Sequence, residues 1–395
     1  MFFSKDLIGL EEESLHPPAL DADDEEGEIP SVLLEYNAYV ADRRNDTTAV
    51  AYSRCGREVQ VTFFAARPPR VSYLCVFCRP AAAASSSVEE LIAMEPEVLG
   101  TDDNLVLLRI VVSPEKDLVR GNDYYVYRPA GDDPPSLPRP PGVFFLVPSQ
   151  VGILSCRPAT ATPQAQGDDG DNFYMVAALQ DDDTALARGR FLLHLYNSKM
   201  ETWTATNVSL EKQHFQKYND QGYFLHHNTR VIAVGGEDAT IAFVDLWRGI
   251  LLCDLSRAAM DDDKPCGLRY VPLPGPSGSN SLGDACRSRD IAVVKGNFKF
   301  VRNQLLWKHC ETCCRDERVQ AGWKSSVRTR PVSACSLLDD SWHRVCHMDS
   351  SAMDVKSSLD DFQLLPKIGK KLTDYYLLFS ETKFVVCLKC DVTLV

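Results

Sequence analysis

Long apolar runs are missing from this sequence of 395 residues. No stretch approaches the roughly 20 consecutive apolar residues that a membrane span requires. The first residues turn acidic by Glu11 and contain neither a long apolar region nor a small-residue cleavage site. We therefore expect no signal peptide and no transmembrane segment, and we expect a cytoplasmic or nuclear protein whose 14 cysteines are mostly reduced.

The sequence also has fewer basic than acidic residues. The 42 lysines and arginines are outnumbered by 55 aspartates and glutamates, which gives a formal net charge of −13. Binding to nucleic acid by counterion release, or docking on an anionic membrane, requires a surplus of positive charge. The composition therefore predicts neither a nucleic-acid nor a membrane partner, and it favours a neutral or basic protein partner of unknown identity. It does not indicate the oligomeric state.

The common catalytic motifs are absent from the sequence. It contains no Gly-x-Ser-x-Gly elbow, no Gly-x-Gly-x-x-Gly loop and no Walker A loop. We therefore assign no catalytic residue, no cofactor-binding residue and no cofactor.

Three Cys-x-x-Cys pairs raise the question of a zinc site. Cys75/Cys78 and Cys387/Cys390 lie in predicted strands, where residues three apart point to opposite faces and chelate poorly. Cys310/Cys313, with Cys314 adjoining, lies in a polar stretch and is the one candidate without that restriction. His343 and His347 have zincin spacing, but Arg344 occupies the position of the catalytic glutamate. We expect structural thiols and no metal, with the cluster at Cys310 as the open alternative.

Short β-runs separated by turn residues make up most of the chain, and helical periodicity is weak. The sequence predicts an all-β protein with an acidic, disordered tail at residues 1–30 and a single domain at residues 31–395. Long loops are predicted at residues 129–142, 156–171 and 257–289, which are rich in Pro, Gly, Ser and Asp. A short helix is predicted at residues 88–94.

Residues 231–254 give the best local signal for the architecture. They predict a three-stranded meander with turns at Gly235–Asp238 and Arg248–Gly249. The middle strand is apolar on both faces, which fits a blade stacked between two neighbours in a β-propeller-like array. Tyr196 and Trp203, the two aromatic residues of the preceding hairpin, are seven residues apart. Together with the Gly-Gly pair, this pattern of glycine and aromatic residues is similar to that of kelch-type blades.

Two aspartates of this meander allow two interpretations. If Arg248–Gly249 is a two-residue turn, Asp245 and Asp254 lie diagonally on one face of the sheet, roughly 7–8 Å apart. That separation suits a general acid/base pair. A bulge at the turn would move them apart, and buried aspartates in blades more often bind turn amides as structural clamps. We expect the clamp.

The stretch Ala242–Asp254, Ala-Phe-Val-Asp-Leu-Trp-Arg-Gly-Ile-Leu-Leu-Cys-Asp, resembles the signature of the plant domain-of-unknown-function 1618 family, which is large in grasses. Residues 33–49, 68–78, 290–296 and 322–324 also resemble it, so the resemblance extends over roughly residues 31–390. It implies a β-propeller relative of F-box-associated domains, but no agreed activity or catalytic residues. Some members carry an amino-terminal F-box, and residues 1–30 contain nothing similar.

Two classes of function remain. The first is a non-enzymatic protein-interaction module that binds its partner through the long loops. The second is a propeller enzyme, a hydrolase or isomerase that would use Asp245 and Asp254 or a metal. We favour the first class because an enzyme should show several convergent His, Asp or Glu residues and the sequence shows one ambiguous pair.

Overall fold

A computed structural model describes most of the chain up to residue 349. The described residues are 10–19, 32–67, 70–79, 91–112, 122–129, 131, 133–141, 147–156, 173–181, 189–218, 224–236, 239–258, 267–274, 285–309, 318–333 and 342–349.

Among the described residues, twenty strands form five successive groups, which we call blades I to V. Blade I contains β1 to β5 (Leu33–Leu34, Tyr39–Val40, Ala49–Tyr52, Glu58–Phe64 and Val71–Cys78). Blade II contains β6 to β8 (Glu97–Asp102, Leu105–Val111 and Asn122–Tyr127). Blade III contains β9 to β12 (Val151–Cys156, Phe173–Asp181, Arg190–Asn197 and Thr202–Leu210). Blade IV contains β13 to β16 (Arg230–Gly235, Thr240–Asp245, Gly249–Asp254 and Gly267–Pro272). Blade V contains β17 to β20 (Arg289–Val294, Asn297–His309, Arg318–Pro331 and His343–Asp349).

Blades II to V are antiparallel meanders, and in blade I strands β3 to β5 form a meander that β1 and β2 extend by parallel pairing with β5. Blades III and IV join into one eight-stranded sheet because β12 pairs briefly with β16. Helix is confined to short pieces among the described residues: α1 (Lys212–Tyr218), α2 (Leu255–Ala258) and short 3-10 turns. The predicted all-β class is confirmed.

The hydrophobic core is divided into layers between neighbouring blades. One cluster joins blades I and II, a second joins blades II and III, a third joins blades III and IV, and a fourth joins blades IV and V. Because side chains alternate across a strand, a sheet packed on both faces needs apolar residues at consecutive positions. The meanders are therefore stacked face to face, and the propeller-like arrangement stays a prediction.

Blade IV contains the predicted meander, and its middle strand is buried on both faces as expected. Ile241 and Phe243 of β14 pack toward blade III, whereas Ala242 and Val244 pack toward blade V. All four side chains have a relative exposure of 0%. In the preceding hairpin, Tyr196 and Trp203 face each other across β11 and β12, with their ring centroids 5.4 Å apart.

The first strands of blades II to V lie next to one another and form the inside of the array, so we call them the inner strands. Glycine allows two of them to approach closely. A Cβ atom added at Gly152 of β9 would lie 2.8 Å from Cβ of Val231 in β13 and 3.3 Å from Cδ1 of Ile241. Both distances are closer than ordinary packing, so any larger residue at position 152 would push blades III and IV apart.

Several elements differ from the sequence-based expectations. Strand β16 lies within the stretch 257–289 that was predicted to be a loop. Residues 10–19 of the predicted acidic tail pack against the sheets, where Leu10 and Leu15 contact the cluster between blades I and II. The hydroxyl group of Tyr73 donates to the carbonyl oxygen of Pro18 at 2.7 Å.

Of the predicted helix at residues 88–94, residues 91–94 are described, and only Leu91 is helical, whereas Ile92 forms a β-bridge with Val112, so the prediction is wrong for this part. Residues beyond 349 lie outside the described part of the chain. No helix within the described part of the chain is long and apolar enough to cross a membrane.

Candidate interaction surface at the ends of the inner strands

The inner strands β6, β9, β13 and β17 define two ends of the array. We call the end where these strands begin the start end, and the end where they turn into the second strand of each blade the turn end. Because all four strands are the first of their meanders, their first residues share one end and their last residues share the other.

The start end carries charges that are joined in ion pairs. At the first residue of β6, Glu97 forms an ion pair with Arg109 of the neighbouring strand β7, in which Oε2 lies 2.9 Å from Nη2. At the first residue of β13, Arg230 pairs with Asp290 of β17, which ties blade IV to blade V. The side chains of Arg230 and Asp290 are each 25% exposed, so water screens this pair in part.

Tyr36 lies beside these pairs, between β1 and β2, and its side chain remains 40% exposed. Partial burial raises the pKa of Tyr36 to about 12, and the negative charge of Glu97 contributes to the increase. Burial also raises the pKa of Glu97, against the opposing effect of Arg109. Each ionised partner at this end is therefore held close to an opposite charge that offsets its desolvation.

The turn end contains a pocket of about 360 Å³ between blades II, III and IV. Small-molecule pockets occupy about 300–1,000 Å³, so this one is at the small end of that range. Its lining residues come from the turns of the inner strands and from the strand ends beside them: Asp102, Asp103, Ser155, Cys156, Phe173, Met175, Gly235, Gly236, Ala239 and Ser256.

Local backbone geometry explains why these residues surround a cavity. Asp103 and Ala239 adopt left-handed conformations, with φ of 54° and 50°, in the two tight turns. Gly235 and Gly236 have φ of 75° and 84°, and an added Cβ at either position would meet open space. Glycine is thus needed there for the backbone conformation and not for lack of room.

The pocket combines carboxylates with an apolar floor. Asp102 Oδ2 accepts from the backbone N–H of Ser155 at 2.7 Å, which links blade II to blade III at the rim. Phe173 and Met175 belong to the cluster between blades III and IV and form the apolar side. Burial, followed by the charge of Asp102, raises the pKa of Cys156 to about 11. The thiol is therefore protonated at neutral pH and is a poor nucleophile.

Asp245 acts as a structural clamp for the turn between β14 and β15. Its carboxylate accepts from the backbone N–H groups of Trp247 at 2.9 Å, Arg248 at 3.1 Å and His227 at 2.9 Å. The guanidinium group of Arg248 adds an ion pair at 3.0 Å. Asp245 is 1% exposed, so these donors are what compensate its buried charge.

Asp254 lies at the other end of β15. Its Oδ1 accepts from the Thr240 hydroxyl group and from Arg269 Nη2, both at 2.8 Å. In the observed register Asp245 faces Gly249 and Asp254 faces Thr240, so the two carboxylates are separated by the length of β15, roughly 16 Å. The hypothesis that they form an acid/base pair is wrong. The turn consists of Leu246, Trp247 and Arg248, so it begins two residues earlier than the predicted turn at Arg248–Gly249 and is one residue longer. Together these differences shift the register by three residues.

The same turn anchors blade V. The Arg289 guanidinium group lies 4.2 Å from the Trp247 ring centroid, and its Nη1 donates to the Leu246 carbonyl oxygen at 3.1 Å. Burial lowers the pKa of Arg289 to about 10, with a further decrease from nearby Arg302. The Asp-Leu-Trp-Arg-Gly motif is therefore a joint between two blades. Alternation along the strand predicts Trp247 on the same face as Ile241 and Phe243, but Trp247 packs toward blade V.

The candidate metal residues are dispersed where the structure describes them. Cys75 and Cys78 of β5 are buried in two different clusters, as residues on opposite faces must be. His343 and His347 lie in strand β20 with their side chains exposed, roughly 13 Å apart along the strand. Cys310, Cys313, Cys314, Cys387 and Cys390 lie outside the described residues. Among the residues that are described, no group of three or more His, Cys, Asp or Glu side chains is placed to hold a metal ion.

Comparison with known protein families gives a match in the carboxy-terminal part of the chain. Residues 243–387 match the model of the family described as a protein of unknown function (DUF1618). The match begins inside β14 and includes the Asp-Leu-Trp-Arg-Gly joint. The amino-terminal stretches that also resemble the family lie outside the matched residues. No curated protein matches the chain.

Proposed function

We propose that this protein is a non-enzymatic interaction module that binds another protein at the turn end of its inner strands. The observation that carries this proposal is the pocket at that end, which is framed by three blades of a rigid β scaffold. Binding sites are commonly concave, with an apolar lining and a few polar groups that fix orientation. The pocket has this composition.

The long loops predicted for recognition support the same location. Cys156 and Phe173 line the pocket, and they are the described residues on either side of residues 157–172 in the sequence. Ser256 also lines the pocket and shortly precedes residues 259–266. Two of the three predicted loops therefore leave the framework beside this pocket. Loops on a rigid scaffold are the usual carriers of specificity.

The chemistry of the pocket fits binding better than turnover. Its thiol has a raised pKa, and Asp102 already accepts a backbone hydrogen bond. Asp245 and Asp254, the pair considered for acid/base catalysis, are engaged in structural contacts at opposite ends of one strand. A net charge of −13 favours neutral or basic proteins as partners.

The proposal is tested by exchanging loops in the full-length protein. Residues 157–172 and 259–266 are replaced together by Gly/Ser linkers of equal length, and proteins that co-purify with the tagged chain are identified by mass spectrometry. We expect the specific partners of the wild type to be lost while the melting temperature stays nearly unchanged, because these segments lie between strands of the framework.

The matched control replaces residues 275–284, which connect β16 to β17 at the start end. That variant should keep the partners of the wild type. Recovery of the same proteins by the first variant, or their loss from the control alone, would contradict the proposed location.

A further inference from the structure

We propose that residues 133–141 form a docking ridge for a partner domain that binds polyproline II segments in an aromatic-lined groove. This proline-rich segment lies along β8, the edge strand of blade II, so it is a different surface from the pocket of the proposed function. Domains of this class bind an extended left-handed helix with three residues per turn, in which prolines recur every third residue. The segment has this spacing at Pro135, Pro138 and Pro141.

The sequence restricts the segment to an extended backbone. Among residues 133–141, every residue except Ser136 is either a proline or directly precedes one. A proline ring holds φ at about −65°, and the residue before a proline is kept out of the helical region. Apart from the bridge between Arg128 and Ser136, residues 133–141 belong to no helix or strand. The composition therefore favours the polyproline II conformation.

From Leu137 to Pro141, the exposure of the side chains follows the same period of three. Leu137 is 4% exposed and packs in the cluster between blades I and II, and Pro140, three residues later, is also buried. Pro138 and Pro141 are exposed, and Pro135 is half-buried. One row of side chains therefore holds the segment on the protein, and the next row presents prolines to a partner.

Hydrogen bonds fix the segment on blades II and III before any partner arrives. The carbonyl oxygen of Pro138 accepts from the backbone N–H of Val126 in β8 at 2.9 Å. The indole Nε1 of Trp203 in β12 donates to the carbonyl oxygen of Pro141 at 2.5 Å. A ligand that is already held in its bound conformation loses less conformational entropy on association. The ridge is thus better prepared for binding than a free proline-rich chain.

Arg139, the one basic residue of the segment, is directed toward the blades. Its Nε donates to the carbonyl oxygen of Tyr52 in blade I at 3.2 Å. Its Nη1 lies 3.4 Å from Oδ1 of Asp123, whose side chain is 2% exposed, so the guanidinium charge is neutralised within the protein. The partner therefore recognises the proline rings by apolar and aromatic contact and not through an acidic pocket.

Exposed apolar side chains flank both ends of the ridge. Tyr52, whose carbonyl oxygen binds Arg139, is 64% exposed, and Met200, in the hairpin turn that precedes Trp203, is 68% exposed. They are the two most exposed large hydrophobic side chains in the described part of the chain. Tyrosine and methionine are enriched at protein interfaces, so both extend the apolar surface that a partner domain would cover.

The experiment titrates the unlabelled full-length protein into nitrogen-15-labelled domains that bind polyproline II segments, namely a WW domain, an SH3 domain and an EVH1 domain. The backbone and indole signals of each aromatic groove report binding. We expect saturable shifts or broadening of the groove signals in at least one of the three domains, and the responding domain identifies the type of groove that fits the ridge.

The double variant Pro138→Ala, Pro141→Ala removes the two exposed rings and keeps both anchoring carbonyl groups. It should weaken binding about tenfold or more, because side chains that fill the central pockets of an interface carry most of its binding energy. Pro138→Ala alone tests the same point if the double variant does not fold. Pro331→Ala, at an exposed proline at the end of β19, is the matched control and should bind as the wild type does.

Three results would overturn the inference: dissociation constants above about 1 mM for all three domains, shifts outside the aromatic groove, or unchanged affinity in the Pro138 and Pro141 variants. These outcomes are separable from the loop exchange, since residues 157–172 and 259–266 lie outside this segment. Loss of the partners in the loop exchange, with no binding by the three domains, would keep the proposed function and reject the ridge. The reverse result would reject the pocket as the binding site and keep the ridge.

Discussion

The two ends of the inner strands use charge in different ways. At the start end, Asp290 forms an ion pair with Arg230 across two blades, and Glu97 forms one with Arg109 of the adjacent strand. At the turn end, Asp102 and Asp103 line a pocket whose floor is apolar. The comparison teaches that the described carboxylates of the start end are neutralised in ion pairs, whereas Asp102 at the turn end accepts a backbone N–H of the next blade and also lines a cavity. Substitutions at the start end should therefore affect stability, and those at the turn end should affect binding.

The largest expected effect is at Asp245, which clamps the turn between β14 and β15 at the start end. Replacing Asp245 with Ala should lower the free energy of unfolding by about 3–5 kcal/mol, because it leaves the Arg248 ion pair and three backbone donors without their acceptor. Urea denaturation measures the change. A loss below about 1 kcal/mol, the value of an exposed pair, would show that the carboxylate is not a clamp.

The next effect is a pH dependence at His226, which precedes β13. Burial lowers the pKa of His226 to about 4, against the opposing effect of Asp245, and its Nε2 contacts Asn228 Oδ1 at 2.9 Å. The unfolded chain takes up a proton near pH 6.5, so stability is complete above that pH and is lost as the pH falls toward 4. The loss from this one group should be of the order of 3 kcal/mol.

Urea denaturation between pH 7 and 4 should therefore show a smaller decline for His226→Gln than for the wild type. His347→Gln, at an exposed position in β20, is the matched control and should follow the wild type. Identical pH profiles for the wild type and His226→Gln would contradict the assignment.

A smaller effect is expected for the ion pair between blades IV and V. Arg230→Gln should lower the free energy of unfolding by about 1–2 kcal/mol, since the pair is a quarter exposed and partly screened. A double-mutant cycle with Asp290→Asn isolates the coupling, which should decrease as the salt concentration rises. A coupling of zero at low salt would remove the distinction between the two ends.

The smallest effect on stability is expected at the pocket. The double variant Asp102→Asn, Asp103→Asn should change the free energy of unfolding by about 0.5 kcal/mol or less, because asparagine keeps the acceptor for the Ser155 N–H and Asp103 is exposed. Thermal denaturation measures it. A large destabilisation would mean that the contact between Asp102 and blade III depends on the charge of the carboxylate.

Blade IV shows how much of the fold the sequence could predict. Ile241 to Val244 are apolar at every position, which is a pattern that only burial on both faces explains, and the blade was predicted from it. Strand β16 was missed because its residues, Gly-Leu-Arg-Tyr-Val-Pro, sit between polar segments and end at a proline.

The candidate site was harder to predict than the fold. The relation between Asp245 and Asp254 depended on where the turn begins and on its length, which the composition of the turn does not specify. The residues of the pocket are far apart in the sequence, since Asp102, Ser155 and Gly235 come from three different blades. Their proximity follows from the stacking of inner strands, and no local pattern records it. The succession of tight turns that follow inner strands is the signal that could have suggested it.

The joint at Trp247 has a practical consequence for anyone who wishes to isolate the family region. A fragment of residues 243–387 would begin within β14, remove β13 and discard the blade III partners of Leu251 and Cys253. It would keep the stack of Arg289 on Trp247 but lose the His227 N–H that helps to hold Asp245. The boundary of the sequence family therefore cuts through a cooperative folding unit, and an excised fragment should be recovered as insoluble or unfolded material unless it starts before blade III.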